Sequence, residues 1–205
     1  MPDSPDPRER ILDAAERAFA AQGLAGARVA AIAADAGVNK AMLYYYFGSK
    51  EGLFEAALGR VAAAVEGLAE ASLRITGLAP EARVRTFLEG YRTLVLSRPV
   101  AVRMVLWDVL DGGHHILKVA RPVFVQVMPP MWQACREGQV AGTIRFDIDP
   151  RFVLPTLIAP YLLLSIASGF VTENLGLTMD DIREPFQRTA LTIALEGLLS
   201  RKETP

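Results

Sequence analysis

Apolar residues recur at three- and four-residue spacings along most of the chain, and no segment after residue 49 alternates convincingly between apolar and polar positions. The first pattern is typical of amphipathic helices, and strict alternation would be typical of strands. The first helix is predicted to begin at Pro7, with Asp6 as its N-cap, and to end at Gly23. The pattern therefore predicts an all-α protein.

Two short helices around a tight turn are predicted between Val29 and Lys50. Gly37 lies where the first of them must end, at a position that favours positive φ, and Asn39 can cap the second. Alanines in the first helix are small enough to let the two helices approach closely. This order is typical of a helix-turn-helix, in which the second helix, here about 39–46, enters the major groove of DNA.

The aromatic run of the second helix indicates which of its faces is exposed. Leu43 and Phe47 are four residues apart and can share the inward face. The three adjacent tyrosines, 44–46, cannot all be buried, because neighbours on a helix point about 100° apart. At least one hydroxyl therefore lies near water or a phosphate, although ordinary packing between helices is the alternative use of such residues.

Two of the chain's four lysines, Lys40 and Lys50, fall within this short segment. Ser49 is predicted to cap the next helix, which places Lys50 in its first turn. The helix dipole disfavours a cation there unless a phosphate docks at the same helix end. Residues 28–50 carry three basic side chains and one acidic one, a balance that suits DNA, while a solvated surface lysine remains the alternative for Lys40.

The segment from Arg8 to Phe54 resembles the N-terminal domain of the TetR (tetracycline repressor) family of bacterial transcription regulators. The matching residues are Ile11, Ala14, Ala15, Phe19, Gly23, Ile32, Ala33, Ala36, Gly37, Val38, Leu43, Tyr44, Phe47 and Lys50. The resemblance implies a DNA-binding domain over residues 6–54 and a homodimer that binds double-stranded DNA at an inverted repeat. It also implies release by a small-molecule effector and, as the family's usual mode of action, repression.

The resemblance assigns two kinds of DNA contact. Phosphates would be contacted by Tyr44, Tyr46 and Lys50, and base edges would be faced by Asn39, Lys40, Ala41, Met42 and Tyr45. Arg28 stands where the family usually has a threonine that caps the helix before the turn, and it could reach a phosphate instead. Ala41 and Met42 replace a commoner Gly-Thr pair, so we expect this protein to read a different DNA sequence.

Residues 55–205 are predicted to form a helical effector-binding and dimerisation domain. Its helices include one that begins at Arg121-Pro122 and two long closing helices, about 149–173 and 178–201. The closing pair is strongly apolar and must be buried somewhere. Packed against its symmetry mate, the pair would form a four-helix bundle and a twofold interface.

An uncharged, mostly apolar run over residues 152–171 is long enough to cross a bilayer. Pro155 and Pro160 and the lack of flanking basic clusters argue against a membrane anchor. A helix that is apolar on all sides can equally be buried between partners. We therefore expect no association with a membrane.

A cavity for the effector is expected on the central helices, where aromatic and adaptable methionine side chains are concentrated. Its predicted lining is Tyr91, Met104, Trp107, His114, His115, Phe124, Met128, Met131 and Trp132. The alternative is that these residues are simply core. The composition of such a cavity favours a small, largely apolar ligand, which would act by binding the DNA-released state more tightly.

Composition narrows the remaining classes of function. The net charge is −1, so DNA binding would depend on well-placed contacts and dimer symmetry rather than on bulk charge. Cys135 is the only cysteine, which excludes an intrachain disulfide and favours a reducing cytoplasm as the location of the protein. We expect its thiol to be buried and without a chemical role, and a redox role is the alternative. The chain has no phosphate loop, nucleophile elbow or cofactor motif, so no catalytic residue, cofactor or metal is predicted.

Two other functions remain open. Asp108, Asp111, His114 and His115 lie at spacings that could gather metal ligands, as in a metal-dependent sensor, although two glycines interrupt that helix. A helical adaptor that binds another protein through residues 152–171 would need no DNA. It predicts a stable hetero-complex and no loss of function when Lys50 is replaced by alanine.

Overall fold

A computed structural model describes residues 6–166, 172–174 and 176–199. Its helices are α1 (Pro7–Gly26), α2 (Val29–Asp35), α3 (Lys40–Phe47), α4 (Lys50–Leu73), α5 (Pro80–Ser97), α6 (Pro99–Leu110), α7 (His114–Val140), α8 (Pro150–Ile166) and α9 (Met179–Leu198). Within the described residues, the one β contact is an isolated bridge between Ile144 and Leu199. The prediction of an all-α fold is confirmed.

The first helix has the predicted cap and the predicted break. The Asp6 carboxylate accepts a hydrogen bond from the Arg8 N–H at 3.0 Å, and Pro7 is the first helical residue. Gly23 has φ +67° and ψ 178°, a conformation open to glycine and unfavourable for other residues. The helix is therefore interrupted at Gly23 as expected, although a short helical turn follows as far as Gly26.

Helices α2 and α3 form the predicted helix-turn-helix. Gly37 has φ +64° in the turn between them. The Asn39 Oδ1 atom accepts a hydrogen bond from the Met42 N–H at 2.8 Å and so caps α3. Ile32 and Leu43 are buried between these helices and α1. The recognition helix lies within one residue of the predicted range 39–46 at each end.

The chain is divided into two compact units, each with its own core. The first takes its described residues from the ranges 1–63 and 98–122, and the second from 64–97 and 123–205. Large side chains in the first core include Ile11, Phe19, Leu43, Phe54, Leu58 and Met104. Large side chains in the second include Phe87, Leu88, Met128, Met131, Ile144 and Leu191. The functional division into 6–54 and 55–205 stays a prediction.

The helix predicted from Arg121-Pro122 begins earlier, at His114, so that predicted start is wrong. The reason is a cap supplied from α6: the Asp108 carboxylate accepts a hydrogen bond from the Ile116 N–H at 2.7 Å. This bond satisfies one of the N–H groups that a first turn leaves without a helical partner. Helix α7 therefore runs through Pro122 and continues to Val140.

The two closing helices are present where the structure describes them. Helix α8 contains both Pro155 and Pro160, and α9 begins with a capping box in which the Thr178 and Asp181 side chains bond to each other's backbone N–H. Residues 167–171 of the first predicted helix and 200–201 of the second lie outside the described residues. No helix in the described part of the chain is long and apolar enough to span a membrane.

Cys135 lies fully buried in the core of the second unit. Desolvation by this burial raises the pKa of its thiol to about 11. Since the thiolate is the reactive form, we expect no labelling of the native protein by a disulfide reagent at pH 8, and rapid labelling after denaturation in urea. Absorbance of the released thiol measures both, and fast labelling of the native protein would contradict the burial.

Candidate nucleic-acid interface

The recognition helix α3 presents its tyrosines to solvent. Tyr45 is 83% exposed, Tyr44 42% and Tyr46 37%, whereas Leu43 is fully buried and Phe47 is half-buried. The inward face therefore consists of the two residues predicted for it. The exposure of Tyr45 is far greater than packing between helices would leave, so its ring is available to an external partner.

The other predicted contact residues of α3 lie on or beside this exposed surface. Asn39, Lys40 and Ala41 are exposed and Met42 is half-buried. The Lys40 ammonium lies 5.7 Å from the centroid of the Tyr44 ring, within the range of a cation–π contact. The start of α3 thus carries one positive charge beside an aromatic ring, a suitable arrangement for a polyanion with stacked bases.

Lys50 lies at the start of α4 and is held against the end of α1. Its Nζ atom donates a hydrogen bond to the Ala25 carbonyl oxygen at 3.1 Å. Ser49 caps α4 as predicted, because its Oγ atom accepts a hydrogen bond from the Gly52 N–H at 2.9 Å. The carbonyl end of α1 is the negative end of its dipole and attracts the Lys50 ammonium. This attraction offsets the unfavourable interaction of the same cation with the first turn of α4.

Arg28 precedes α2 at the N-cap position but does not cap it with its side chain. The residue is exposed and its backbone is extended, with φ −107° and ψ 122°. Its carbonyl accepts hydrogen bonds from the Ala31 and Ile32 N–H groups instead. The missing side-chain cap agrees with the departure from the threonine pattern, and the guanidinium is available for another contact.

Three contacts that support this surface were not predicted from the sequence. The Trp107 Nε1–H donates to the Ala20 carbonyl at 3.1 Å, and its ring covers Gly23, where a Cβ would lie 3.4 Å away. The Arg60 guanidinium bonds to Asp13 at 2.7 Å and thereby ties α4 to α1. The isolated glycine in α1 was a local signal of a close neighbour, but nothing nearby in the sequence identifies that neighbour as Trp107.

The residues predicted to line an effector cavity are divided between the two units. Met104, Trp107, His114 and His115 belong to the first unit, and Tyr91, Phe124, Met128, Met131 and Trp132 belong to the second. The three methionines are buried in the cores of their units, and Phe124 meets Trp132 edge to face at 6.5 Å. Their assignment to one effector cavity stays a prediction.

The two histidines lie at the start of α7. His115 Nδ1 is 3.2 Å from a Glu55 oxygen, and Lys118 Nζ bonds to both oxygens of that carboxylate at 2.7 and 2.8 Å. The Lys118 hydrogen bond is the main reason that the pKa of Glu55 lies below its usual value. Among the described residues no group of three or more His, Cys, Asp or Glu side chains could hold a metal ion. Asp108 is engaged as the α7 cap.

Comparison with known proteins places this helix-turn-helix among bacterial regulators. Residues 11–57 match the family described as bacterial regulatory proteins, tetR family. The chain is 34% identical over 172 residues to the HTH-type transcriptional repressor NicS of Pseudomonas putida, covering 82% of this chain and 76% of that protein. It is 28% identical over 206 residues to the regulatory protein RaaS of Mycobacterium tuberculosis, covering 93% and 86% of the two chains.

Solved structures extend the likeness of fold to almost the whole chain. SCO4942 of Streptomyces coelicolor, which is assigned as a transcriptional regulator, superposes with a TM-score of 0.70 at 23% identity and covers 93% of this chain and 97% of its own. The hemolysin II transcriptional regulator HlyIIR superposes with a TM-score of 0.67 at 17% identity, covering 95% and 98%. At such identities the likeness shows the fold alone.

Proposed function

This chain belongs to the TetR family of bacterial regulatory proteins, and we propose that it is a repressor that binds an inverted-repeat operator as a homodimer. It is a DNA-binding transcription regulator and not an enzyme. Two of its relatives are named transcriptional repressors. The observation that carries the finer proposal is the exposed surface of α3, on which Tyr45 is 83% exposed and Lys40 lies against the Tyr44 ring at the N-terminal end of the helix, the end that enters a major groove first.

The contact surface divides into positioning and reading residues. Four residues have polar or charged groups that suit phosphate contacts: Arg28 before α2, Tyr44 and Tyr46 on α3, and Lys50 at the start of α4. Asn39, Lys40, Ala41, Met42 and Tyr45 lie along α3 and suit contacts to base edges. Lys50 would exchange the Ala25 carbonyl for a phosphate oxygen, and an anion at the start of α4 would also interact favourably with the helix dipole.

The proposed homodimer uses α8 and α9. Ile193 on α9 is 66% exposed and Phe152 on α8 is 62% exposed, and both are large apolar side chains that a partner would cover. Among the described residues, nothing outside the adjoining helix backbone lies within 4 Å of a Cβ at Gly197, one turn beyond Ile193, so a second helix could approach closely. The same helices of two copies would form an isologous four-helix interface and place two recognition helices on symmetric half-sites.

The proposed signal is a small, largely apolar effector that lowers operator affinity. Such a ligand can act only by binding the released conformation more tightly than the operator-bound one. The predicted lining residues on the central helices remain candidates for its site.

Selection of bound fragments from the source genome by the purified protein tests the regulator, with Lys50→Ala examined beside it at moderate salt. We expect a short inverted repeat that the wild-type protein recovers and the variant loses. Analytical ultracentrifugation of the same protein is expected to show a dimer. A monomer, or retention of DNA without any sequence preference, would contradict the proposal and favour a helical adaptor that binds protein.

Replacing Tyr45 and Lys50 separately distinguishes reading from positioning. Tyr45→Ala should weaken operator binding by about 1–3 kcal/mol while changing binding to random DNA little, because a base-edge contact is lost. Lys50→Ala should weaken both DNAs alike and reduce the salt dependence by about one phosphate contact. Fluorescence anisotropy over a range of salt concentrations measures both effects.

Lys118→Ala is the matched control for the loss of one positive charge, because Lys118 belongs to the same unit and pairs with Glu55 outside the proposed interface. We expect its salt dependence to equal that of the wild type. Equal losses on operator and random DNA from both Tyr45→Ala and Lys50→Ala would remove the proposed division of roles.

A further inference from the structure

A wide groove of about 650 Å³ runs between α4, α5 and α9 in the second unit. Leucines 68, 191 and 195 form part of its wall, and Leu191 and Leu195 are themselves almost completely buried. Three arginines, Arg85, Arg92 and Arg188, also line it. The volume falls within the range of roughly 300–1,000 Å³ that is usual for small-molecule sites. This groove shares none of the nine residues predicted above for an effector cavity.

The charge of the groove is positive. Its lining contains the three guanidinium groups and one carboxylate, that of Glu89. Arg188 and Arg92 both pair with Glu184, at 3.2 and 3.5 Å, whereas Arg85 makes no ion pair or hydrogen bond within the described residues. A guanidinium stays charged at every physiological pH and binds carboxylates through paired N–H donors. Arg85 is therefore the group best placed to receive an anion.

One glycine, Gly90 of α5, also lines the groove. A Cβ at Gly90 would overlap Leu68 Cδ1 of α4, so the glycine leaves room for the Leu68 side chain. Ser72, one turn beyond Leu68, is fully buried and donates its hydroxyl hydrogen bond to the Leu68 carbonyl at 2.6 Å. Its hydroxyl is thus satisfied within α4, and the partly buried Leu68, with the exposed edges of Leu191 and Leu195, gives the groove an apolar wall for a hydrocarbon chain.

The groove and the proposed dimer surface use different faces of α9. Successive helical residues are rotated by about 100°, so Arg188, Leu191 and Leu195 lie within about 60° of one another. On the same count, Ile193 and Gly197 lie about 140–180° from Arg188. A second copy packed on Ile193 would therefore leave the groove side of α9 available to a ligand.

We propose that this groove binds an amphiphilic carboxylic acid, with its carboxylate at Arg85 and its single hydrocarbon chain along Leu68, Leu191 and Leu195. The inference rests on the proposed function only where it makes this acid the effector. The binding site itself is inferred from the residues that line the groove. The link to DNA is α4, which supplies Leu68 to the groove and begins at Lys50. A ligand that shifts the packing of α4 can change the DNA affinity.

Isothermal titration calorimetry of the full-length protein with decanoate, below its micellar concentration, tests the site. We expect saturable binding of one decanoate per chain, with decanol and decyltrimethylammonium binding at least about tenfold more weakly because they lack the anion. Arg85→Gln should weaken the binding of decanoate by a similar factor. Arg136→Gln is the matched control, since Arg136 is an exposed arginine of the same unit outside the groove.

A second variant tests whether the hydrocarbon chain of the ligand lies in the groove. Thr192 is exposed on the wall of the groove, so Thr192→Trp should fold normally and obstruct the groove. We expect it to abolish decanoate binding while leaving the circular dichroism melting temperature unchanged. Decanol binding as tightly as decanoate, equal effects of Arg85→Gln and Arg136→Gln, or undiminished binding by Thr192→Trp would each overturn the site.

The regulatory role is measured separately, by anisotropy on the selected operator with and without saturating decanoate. We expect operator affinity to fall at least severalfold for the wild type and to stay unchanged for Arg85→Gln. Calorimetric binding without any change in operator affinity would overturn the effector role. Absence of operator binding in every condition would instead overturn the proposed function, with the calorimetry still deciding whether the groove binds the acid.

Discussion

Replacing Phe54 by alanine should lower the free energy of unfolding of the first unit by about 3–5 kcal/mol. Phe54 is fully buried near the start of α4, and its ring meets that of Phe19 edge to face at 4.9 Å. A second edge-to-face contact, at 5.4 Å, joins it to His115 of α7. Alanine would remove both ring contacts and leave a cavity between the helices that support the helix-turn-helix.

Urea denaturation followed by tryptophan fluorescence measures this effect, in a Trp132→Phe background so that Trp107 alone reports on the first unit. Tyr45→Ala is the control, because it truncates an aromatic ring in the same unit that is 83% exposed. We expect its midpoint to change little. Equal losses of stability for the two variants would show that the Phe54 ring does not carry the packing of this core.

The helix-turn-helix could be predicted from sequence because its determinants are local. Asn39 caps α3 through an N–H three residues away, and Ser49 caps α4 in the same manner. Gly37 has the positive φ that the turn requires. Each signal depends on the backbone conformation of a few neighbouring residues, which the sequence specifies directly.

The set of helices that form the first unit could not be predicted in this way. Met104 and Trp107 lie on α6, far along the chain from α1, yet both belong to this unit, and Met104 is fully buried in its core. The hydrogen bond from Trp107 to Ala20 spans 87 residues. Helical periodicity shows that α6 has an apolar face but not which helix covers it.

The groove in the second unit shows the same limit. Arg85 and Arg92 are seven residues apart on α5, two helical turns, so their shared face was visible in the sequence. Nothing in the neighbouring sequence indicates that Arg188 of α9 lines the same groove, or that Gly90 leaves room for the Leu68 side chain. The capped turns of this chain are thus specified locally, whereas its candidate ligand sites depend on pairing between distant helices.

Replacing Gly52 by alanine should destabilise the first unit by about 1–3 kcal/mol and weaken operator binding, although alanine is the better helix former. A Cβ at Gly52, in the first turn of α4, would overlap the carbonyl oxygen of Phe47 at the end of α3. That carbonyl accepts the Ser49 N–H hydrogen bond at 2.8 Å, so relieving the overlap must move α3 relative to the start of α4. Gly59→Ala on the same helix is the control, because among the described residues nothing outside the adjoining helix backbone lies within 4 Å of a Cβ there, and it should stabilise by about 0.5–1 kcal/mol. Thermal denaturation and operator anisotropy measure both variants, and a Gly52→Ala protein at least as stable and as tightly bound as Gly59→Ala would show that the junction tolerates the side chain.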